Sequence, residues 1–148
     1  MDETQARRQA DELNQNNLFS SYNHIELESV EPDHAIFRLA IRPESKNPYG
    51  VVHGSAIYTM ADNATGYAAH TDGRFYVTQT SSMHFLRNQT HGIVRADARV
   101  RHRGRATCLV DVDILGEAAS CSPQANSLFS ASIRRSWRRK GSSKEGAA

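Results

Sequence analysis

The segment NPYGVVHGSAIYTMADNATGYAAH, residues 47–70, joins a turn with proline and glycine to a long helical pattern. From Gly54 onward, apolar and small residues recur every three or four positions, which is the spacing of one face of an α-helix. The residues on this face are Ala56, Ile57, Met60, Ala61, Ala64, Tyr67 and Ala68. Because many of them are alanines, other backbone can approach closely, and we predict that a sheet encloses this helix. Gly73 is a natural end for it.

Alternating apolar and polar residues on both sides of this helix predict β-strands. Such alternation places every second side chain on one face, as in a half-buried strand. The predicted strands are 23–30 and 34–42 before the helix, and 75–87, 93–102, 106–115 and 127–135 after it. A short surface helix is predicted at 4–16. This order predicts an α+β protein with an antiparallel sheet and one long central helix.

Chain length and composition fit a single domain with a hydrophobic core. The chain has 148 residues, of which 39% are hydrophobic and 23% are charged, an ordinary soluble composition. No apolar run approaches the ~20 residues that a membrane-spanning helix needs, so no membrane association is expected. The N-terminus is acidic and lacks an apolar segment. We therefore expect neither a secretory signal nor a transit peptide, and we expect the protein to be cytoplasmic.

Neither a metal site nor a cofactor is expected from the cysteines and histidines. Cys108 and Cys121 are the only cysteines, and they lack the C-x-x-C spacing of a metal or redox motif. The seven histidines are scattered along the chain without a ligand-like pair. Cys108 falls in a predicted strand, where a buried free thiol is the favoured interpretation.

A basic cluster near the C-terminus is interpreted as a solvated tail. Only Trp137 offers an aromatic platform beside it, so we expect no nucleic-acid partner. The cluster consists of Arg134, Arg135, Arg138, Arg139 and Lys140. The predicted organisation is an N-terminal extension over 1–19, a main domain over 20–136 and a basic tail over 137–148.

Three motifs resemble those of a known enzyme family. The loop 47–54 followed by Met60-Ala61-Asp62 resembles the N-x-x-G-x-x-H-G-G…(L/M)-A-D signature of acyl-CoA thioesterases of the phenylacetate-degradation (PaaI-like) type. These belong to the broader 4-hydroxybenzoyl-CoA thioesterase superfamily. Residues 85–87 resemble its F-L-R-P motif, and residues 96–105 resemble its A-x-A-x-V-x-x-x-G-R strand pair. The resemblance implies the hotdog fold, in which a curled antiparallel sheet wraps a central helix.

The resemblance also implies a reaction, the hydrolysis of an acyl-CoA thioester. The backbone N–H of Gly54 is the candidate oxyanion donor, since the first N–H groups of a helix lack intrahelical partners. Asp62 is the candidate general base or nucleophile, and the sequence leaves both roles open. Asn47 would orient water or the thioester. Thr78 is the best candidate for a helper hydroxyl, with Thr80 and Ser82 as alternatives.

Four further residues are candidates for substrate binding. His53 and Ser55 flank the start of the helix, and Phe85 and Arg87 lie in the F-L-R motif. Two of these positions have alternative explanations, since His53 would equally hold the loop and Arg87 would equally be a solvated strand end. Ser55 departs from the family's second glycine, and Asn88 replaces its proline. Arg103 and Arg105 are further candidates for the CoA phosphates, and both would equally be solvated strand ends.

Two other functions fit the same residues. A hotdog hydro-lyase acting on enoyl or hydroxyacyl thioesters would use His53 with Asp62, and a non-catalytic module would only bind an acyl-CoA. The acyl group itself, small aromatic or of short to medium chain length, stays open.

Helix geometry adds a prediction about assembly. Gly54 and Asp62 are separated by about 12 Å along a helix axis, whereas donor and base must both come within ~3 Å of one carbonyl. We therefore expect a homodimer, or a dimer of dimers, with shared sites. In each site Asn47 and Gly54 of one chain would meet Asp62 and Thr78 of the other.

Overall fold

The computed structural model describes residues 2–117 and 127–137. Its elements are α1 (Glu3–Gln15), α2 (Leu18–Tyr22), β1 (Ile25–Glu31), β2 (His34–Ala40), α3 (Gly54–His70), β3 (Tyr76–Phe85), β4 (Ile93–Arg103), β5 (Thr107–Gly116) and β6 (Ser127–Trp137), with a short 3-10 turn at Pro43–Ser45. The described helices include none that is long and apolar enough to cross a membrane.

The six strands form one antiparallel sheet in the order β1-β2-β4-β5-β6-β3. Its concave core is built from side chains that alternate along each strand. Phe37, Ala96 and Ile114 lie side by side on β2, β4 and β5, and all three are fully buried. The small Ala96 between two large side chains leaves room for α3 to pack against the sheet.

The sheet encloses the central helix α3, as the alanines of this helix predict. Met60, Ala61 and Ala64 are fully buried in the same core as the inward residues of the sheet. The predicted α+β architecture is confirmed, and all six strands lie within two residues of their predicted bounds.

The predicted N-terminal extension contains a helix that packs against the sheet. Ala6 and Ala10 of α1 are buried, and the helix packs against β1. The helix α2 was not predicted, and it crosses the predicted boundary between residues 19 and 20. The division of the chain into extension, domain and tail stays a prediction, and residues 138–148 of the tail lie outside the described residues. Cys108 is a buried free thiol as expected, whereas Cys121 lies outside the described residues.

Candidate active site

His53 caps the N-terminus of α3. Its ring Nδ1 accepts a hydrogen bond from the backbone N–H of Ser55 at 3.1 Å and lies 2.7 Å from the Ser55 hydroxyl. Its carbonyl accepts from the N–H groups of Ala56 and Ile57. His53 therefore closes the first turn of the helix, which is the structural role considered for it above. A role in substrate binding stays a prediction.

Gly54 is the first residue of α3, and its N–H differs from those around it. The three preceding N–H groups, of Val51, Val52 and His53, donate to Asn47 Oδ1, Gln89 O and Ser45 O. The three following ones, of residues 55–57, donate to His53. No described residue accepts a hydrogen bond from the Gly54 N–H. An unpaired donor at the positive end of a helix dipole is suited to bind an oxyanion.

A cleft of about 460 Å³ opens beside Gly54 and contains four of the predicted site residues. Its lining consists of Asn47, Val52, Gly54, Phe85, Leu86, Arg87 and Asn88. The Asn47 Oδ1 accepts from the N–H groups of Tyr49 at 3.0 Å and Val51 at 3.3 Å, so this side chain shapes the loop. Gly50 completes the turn with φ +79°, a conformation that glycine adopts without a steric penalty.

His53 and Ser55 line a different cleft. It also measures about 460 Å³, and its other walls are Phe19, Tyr22, Asn23, His24, Glu44, Ser45, Ala56 and Thr59. The predicted substrate-binding residues thus fall into two groups on either side of the helix start. The sequence predicted one substrate-binding role for all four residues. It missed the contribution of α2, whose Phe19 and Tyr22 are largely exposed.

Asp62 lies two turns further along α3, with its side chain 41% exposed. Its Oδ1 accepts a hydrogen bond from the Thr78 hydroxyl at 2.5 Å. Of the three hydroxyls considered, Thr78 is therefore the one that contacts the acid. A bulge between Thr78 and Thr80 in the pairing of β3 with β6 changes the register at this point. Tyr58, one turn earlier on α3, contacts Ser81 of the same strand.

Arg135 is a neighbour of Asp62 that sequence reasoning missed. Its side chain donates to Asp62 Oδ1 at 2.9 Å, to the Asp62 carbonyl and to the Thr65 hydroxyl at 2.7 Å. The residue is only 4% exposed. Burial lowers the pKa of the Arg135 guanidinium, and the Asp62 carboxylate opposes this shift. The interpretation of the whole basic cluster as a solvated tail is therefore wrong for Arg135. Its strand position, two residues after the buried Ile133, was the available signal.

Arg103 binds the other end of α3. Its guanidinium donates to Asp33 Oδ1 at 2.5 Å, to Asp72 Oδ2 at 2.6 Å and to the carbonyl of Ala69 at 2.9 Å. Burial acts to lower the pKa of Arg103, but the hydrogen bond to Asp33 and the charge of Asp72 act in the opposite direction, and the pKa is raised. The prediction that Arg103 binds CoA phosphates is wrong, because its donors are used to cap the helix.

The described residues contain no group of three or more histidine, cysteine, aspartate or glutamate side chains that could hold a metal ion. The predicted catalytic residues lie in two separate places, the two half-sites. One is the Gly54 cleft at the start of α3, and the other is the Asp62–Thr78 pair about two turns along the same helix.

Comparison with known proteins identifies the family. Residues 49–118 match the thioesterase superfamily, a stretch that contains Gly54, Asp62 and Thr78. The chain is therefore similar to this superfamily over just under half of its length. Acyl-coenzyme A thioesterase PaaI of Escherichia coli is 28% identical over 94 residues, 63% of this chain and 67% of that protein. The putative esterase Rv1847 of Mycobacterium tuberculosis is 30% identical over 93 residues, 59% of this chain and 66% of that protein.

The thioesterase superfamily assignment agrees with solved structures. The E. coli PaaI protein from the phenylacetic acid degradation operon superposes with a TM-score of 0.85 at 21% identity, covering 94% of this chain and 97% of that one. A hypothetical thioesterase from Streptococcus pneumoniae, solved with coenzyme A, superposes with a TM-score of 0.69 at 24% identity, covering 77% and 85%. The predicted hotdog fold and PaaI-like family are confirmed, and so is the class of thioester hydrolase. The matches span about two thirds of the length of the curated relatives.

Proposed function

We propose that this thioesterase hydrolyses an acyl-CoA with a small aromatic or a short to medium acyl chain. The observation that carries the proposal is the Gly54 N–H, which has no acceptor among the residues that the structure describes and lies at the start of the same helix that presents Asp62. The relative PaaI is named an acyl-coenzyme A thioesterase, and the Streptococcus pneumoniae neighbour was solved with coenzyme A. Both support CoA thioesters as the substrate class.

The proposed reaction uses each group at one step. The Gly54 N–H donates to the thioester oxygen as it gains negative charge. On the opposite side, Asp62 either takes a proton from the attacking water or attacks the carbonyl carbon itself to form an anhydride that water then opens. In both routes the C–S bond breaks, CoA leaves as the thiolate and gains a proton, and the acyl group leaves as a carboxylate. Thr78 would orient the Asp62 carboxylate.

We propose further that the site forms between two copies of the chain, as a dimer or a dimer of dimers. Within one chain, Gly54 and Asp62 are about 12 Å apart along α3, too far to act on one carbonyl. Apolar side chains near both half-sites are partly exposed: Tyr58 at 40%, Phe85 at 56% and Leu86 at 62%. A second chain related by a two-fold axis would cover them and would bring its Asp62 to the Gly54 cleft.

Complementation tests the shared site. The inactive variants Asp62→Asn and Gly54→Pro are mixed, subunits are exchanged, and the release of free CoA is measured. Each mixed dimer has one site with both intact residues, so equal mixing should restore about a quarter of wild-type activity, because half of the dimers are mixed and half of their sites work. If subunits exchange and no activity returns, the site is not shared.

The two alternative functions have less support. A hydro-lyase needs His53 as its central base, but His53 Nδ1 is occupied by the cap of α3. A module that only binds acyl-CoA needs no acid at position 62. Release of CoA from acyl-CoA, hydration of the enoyl-CoA double bond, and binding without either reaction separate the three functions.

A further inference from the structure

Arg135 carries a positive charge into the packed layer between α3 and β6. Only 4% of the residue is exposed, and a buried charge is costly unless it is paired and hydrogen-bonded. The carboxylate that pairs with it is Asp62, the acid of the proposed reaction. The remaining contacts are to the Asp62 carbonyl and the Thr65 hydroxyl, both on α3. The guanidinium therefore binds the turn of α3 that carries Asp62.

The two donors to the Asp62 carboxylate meet on one oxygen. Thr78 approaches Oδ1 from β3 at 2.5 Å, and Arg135 approaches it from β6 at 2.9 Å. β3 and β6 are paired strands, and Thr78 lies opposite Arg135 in their register. The sheet thus presents two donors side by side to a single carboxylate oxygen. Such an arrangement holds the carboxylate in one orientation and directs its other oxygen, Oδ2, to the reaction.

Gly66 provides the space for this contact. A Cβ atom at position 66 would lie 3.1 Å from Arg135 Nη1 and 3.2 Å from its Cζ. Contacts this short force a neighbour to move by a few tenths of an ångström. Gly66 lies four residues after Asp62 on α3, so both residues face β6. Glycine within a helix is unfavourable relative to alanine, and the fit of the guanidinium would offset this cost.

We propose that Arg135 is a positioning residue for Asp62, and that it works with Thr78 to fix Oδ1 so that Oδ2 acts on the substrate. This inference rests on the proposed function, because it gives Arg135 a role only if Asp62 reacts. Arg135 itself touches neither water nor thioester in this scheme. Its loss should lower kcat and leave KM for the acyl-CoA nearly unchanged.

Arg135→Lys and Gly66→Ala test the proposal from two directions. The lysine variant keeps a positive charge but loses the planar fork that reaches Asp62 and Thr65 together. The alanine variant keeps every charge and displaces only the guanidinium. Both should lower kcat by about 10- to 100-fold with KM within about twofold, the range expected when a reacting group is misplaced by less than 1 Å. Combined in one chain, they should lower kcat by less than the product of the two effects.

Arg103→Lys is the matched control. Arg103 is also ion-paired, to Asp33 and Asp72, and it also binds α3, but at the far end, through the carbonyls of Ala68 and Ala69. The same substitution there should lower the melting temperature without changing kcat by more than about twofold.

Three outcomes decide the inference, and Asp62→Asn is assayed in parallel. Selective loss of kcat in the Arg135 and Gly66 variants supports it. If Asp62→Asn is inactive while folded Gly66→Ala and Arg135→Lys turn over as fast as Arg103→Lys, Arg135 is merely structural and the proposed function stands. If Asp62→Asn is fully active, the proposed function fails and this inference fails with it. Should Arg135→Lys not fold, Gly66→Ala decides alone, since it leaves Arg135 in place.

Discussion

Replacing Gly54 by proline should remove the oxyanion donor and leave the fold intact. Proline lacks a backbone N–H but is accepted at the first position of a helix, which is where Gly54 lies. The preceding residue, His53, has φ −70° and ψ 134°, an extended conformation that residues before proline favour. No hydrogen bond to a described residue is lost, because the Gly54 N–H has no acceptor among them.

The expected loss of kcat in Gly54→Pro follows from the same geometry. A Cβ atom at position 54 would lie 3.4 Å from Phe85 Cε1 and 3.8 Å from its Cζ, which is ordinary van der Waals contact. Steric strain should therefore contribute little. Loss of one preorganised oxyanion donor typically lowers kcat by about 10²- to 10³-fold, which corresponds to roughly 2.7–4 kcal/mol. The melting temperature should change by no more than a few degrees.

The assay compares Gly54→Pro with Gly54→Ala. Alanine adds the same Cβ atom but keeps the N–H, so it isolates the donor from the added bulk. Hydrolysis is followed by the thiol of released CoA, and folding by thermal unfolding. We expect the kcat of Gly54→Ala to stay within about fivefold of wild type. The kcat of Gly54→Pro should fall by about 10²- to 10³-fold. A folded proline variant as fast as the alanine variant would place the oxyanion donor elsewhere.

Three further predictions concern the acid, the core and a half-buried histidine. Asp62→Asn should stay folded, since the amide oxygen still accepts hydrogen bonds, but it should lose most of its kcat. Asn47→Ala should lose less of its kcat. Near wild-type turnover of Asp62→Asn would exclude Asp62 from the mechanism. Phe37→Ala should lower the unfolding free energy by about 3–5 kcal/mol in chemical denaturation, since Phe37 is fully buried and its ring lies 4.9 Å from that of Tyr67; a change near zero would contradict its place in the core. Burial lowers the pKa of His70 from 6.5, so the unfolded chain binds more protons below that pH and stability should fall with acidification. His70→Gln should flatten this dependence, and an unchanged slope would assign it to other groups.

Local sequence patterns were sufficient for most of the fold. The alternation in residues 93–102 and the three- and four-residue spacing after Gly54 depend only on which face of an element is buried, so they can be read one segment at a time. The helix α2 was missed because its five residues form barely more than one turn, too short for a period to appear. The burial of α1 was underestimated because its inward side chains are only alanines, Ala6 and Ala10.

The sequence by itself determined every element except α2, the enzyme family and the acid at position 62, because each of these depends on residues close together in the chain. Only the tertiary structure decided which side chains meet that acid. Thr78 is 16 residues away and Arg135 is 73 residues away, and both contacts depend on how β3 and β6 pair after a bulge. In the sequence, Arg135 is one of a run of basic residues near the chain end. It is buried because β6 lies between β5 and β3 beneath α3, and no local pattern encodes that position in the sheet.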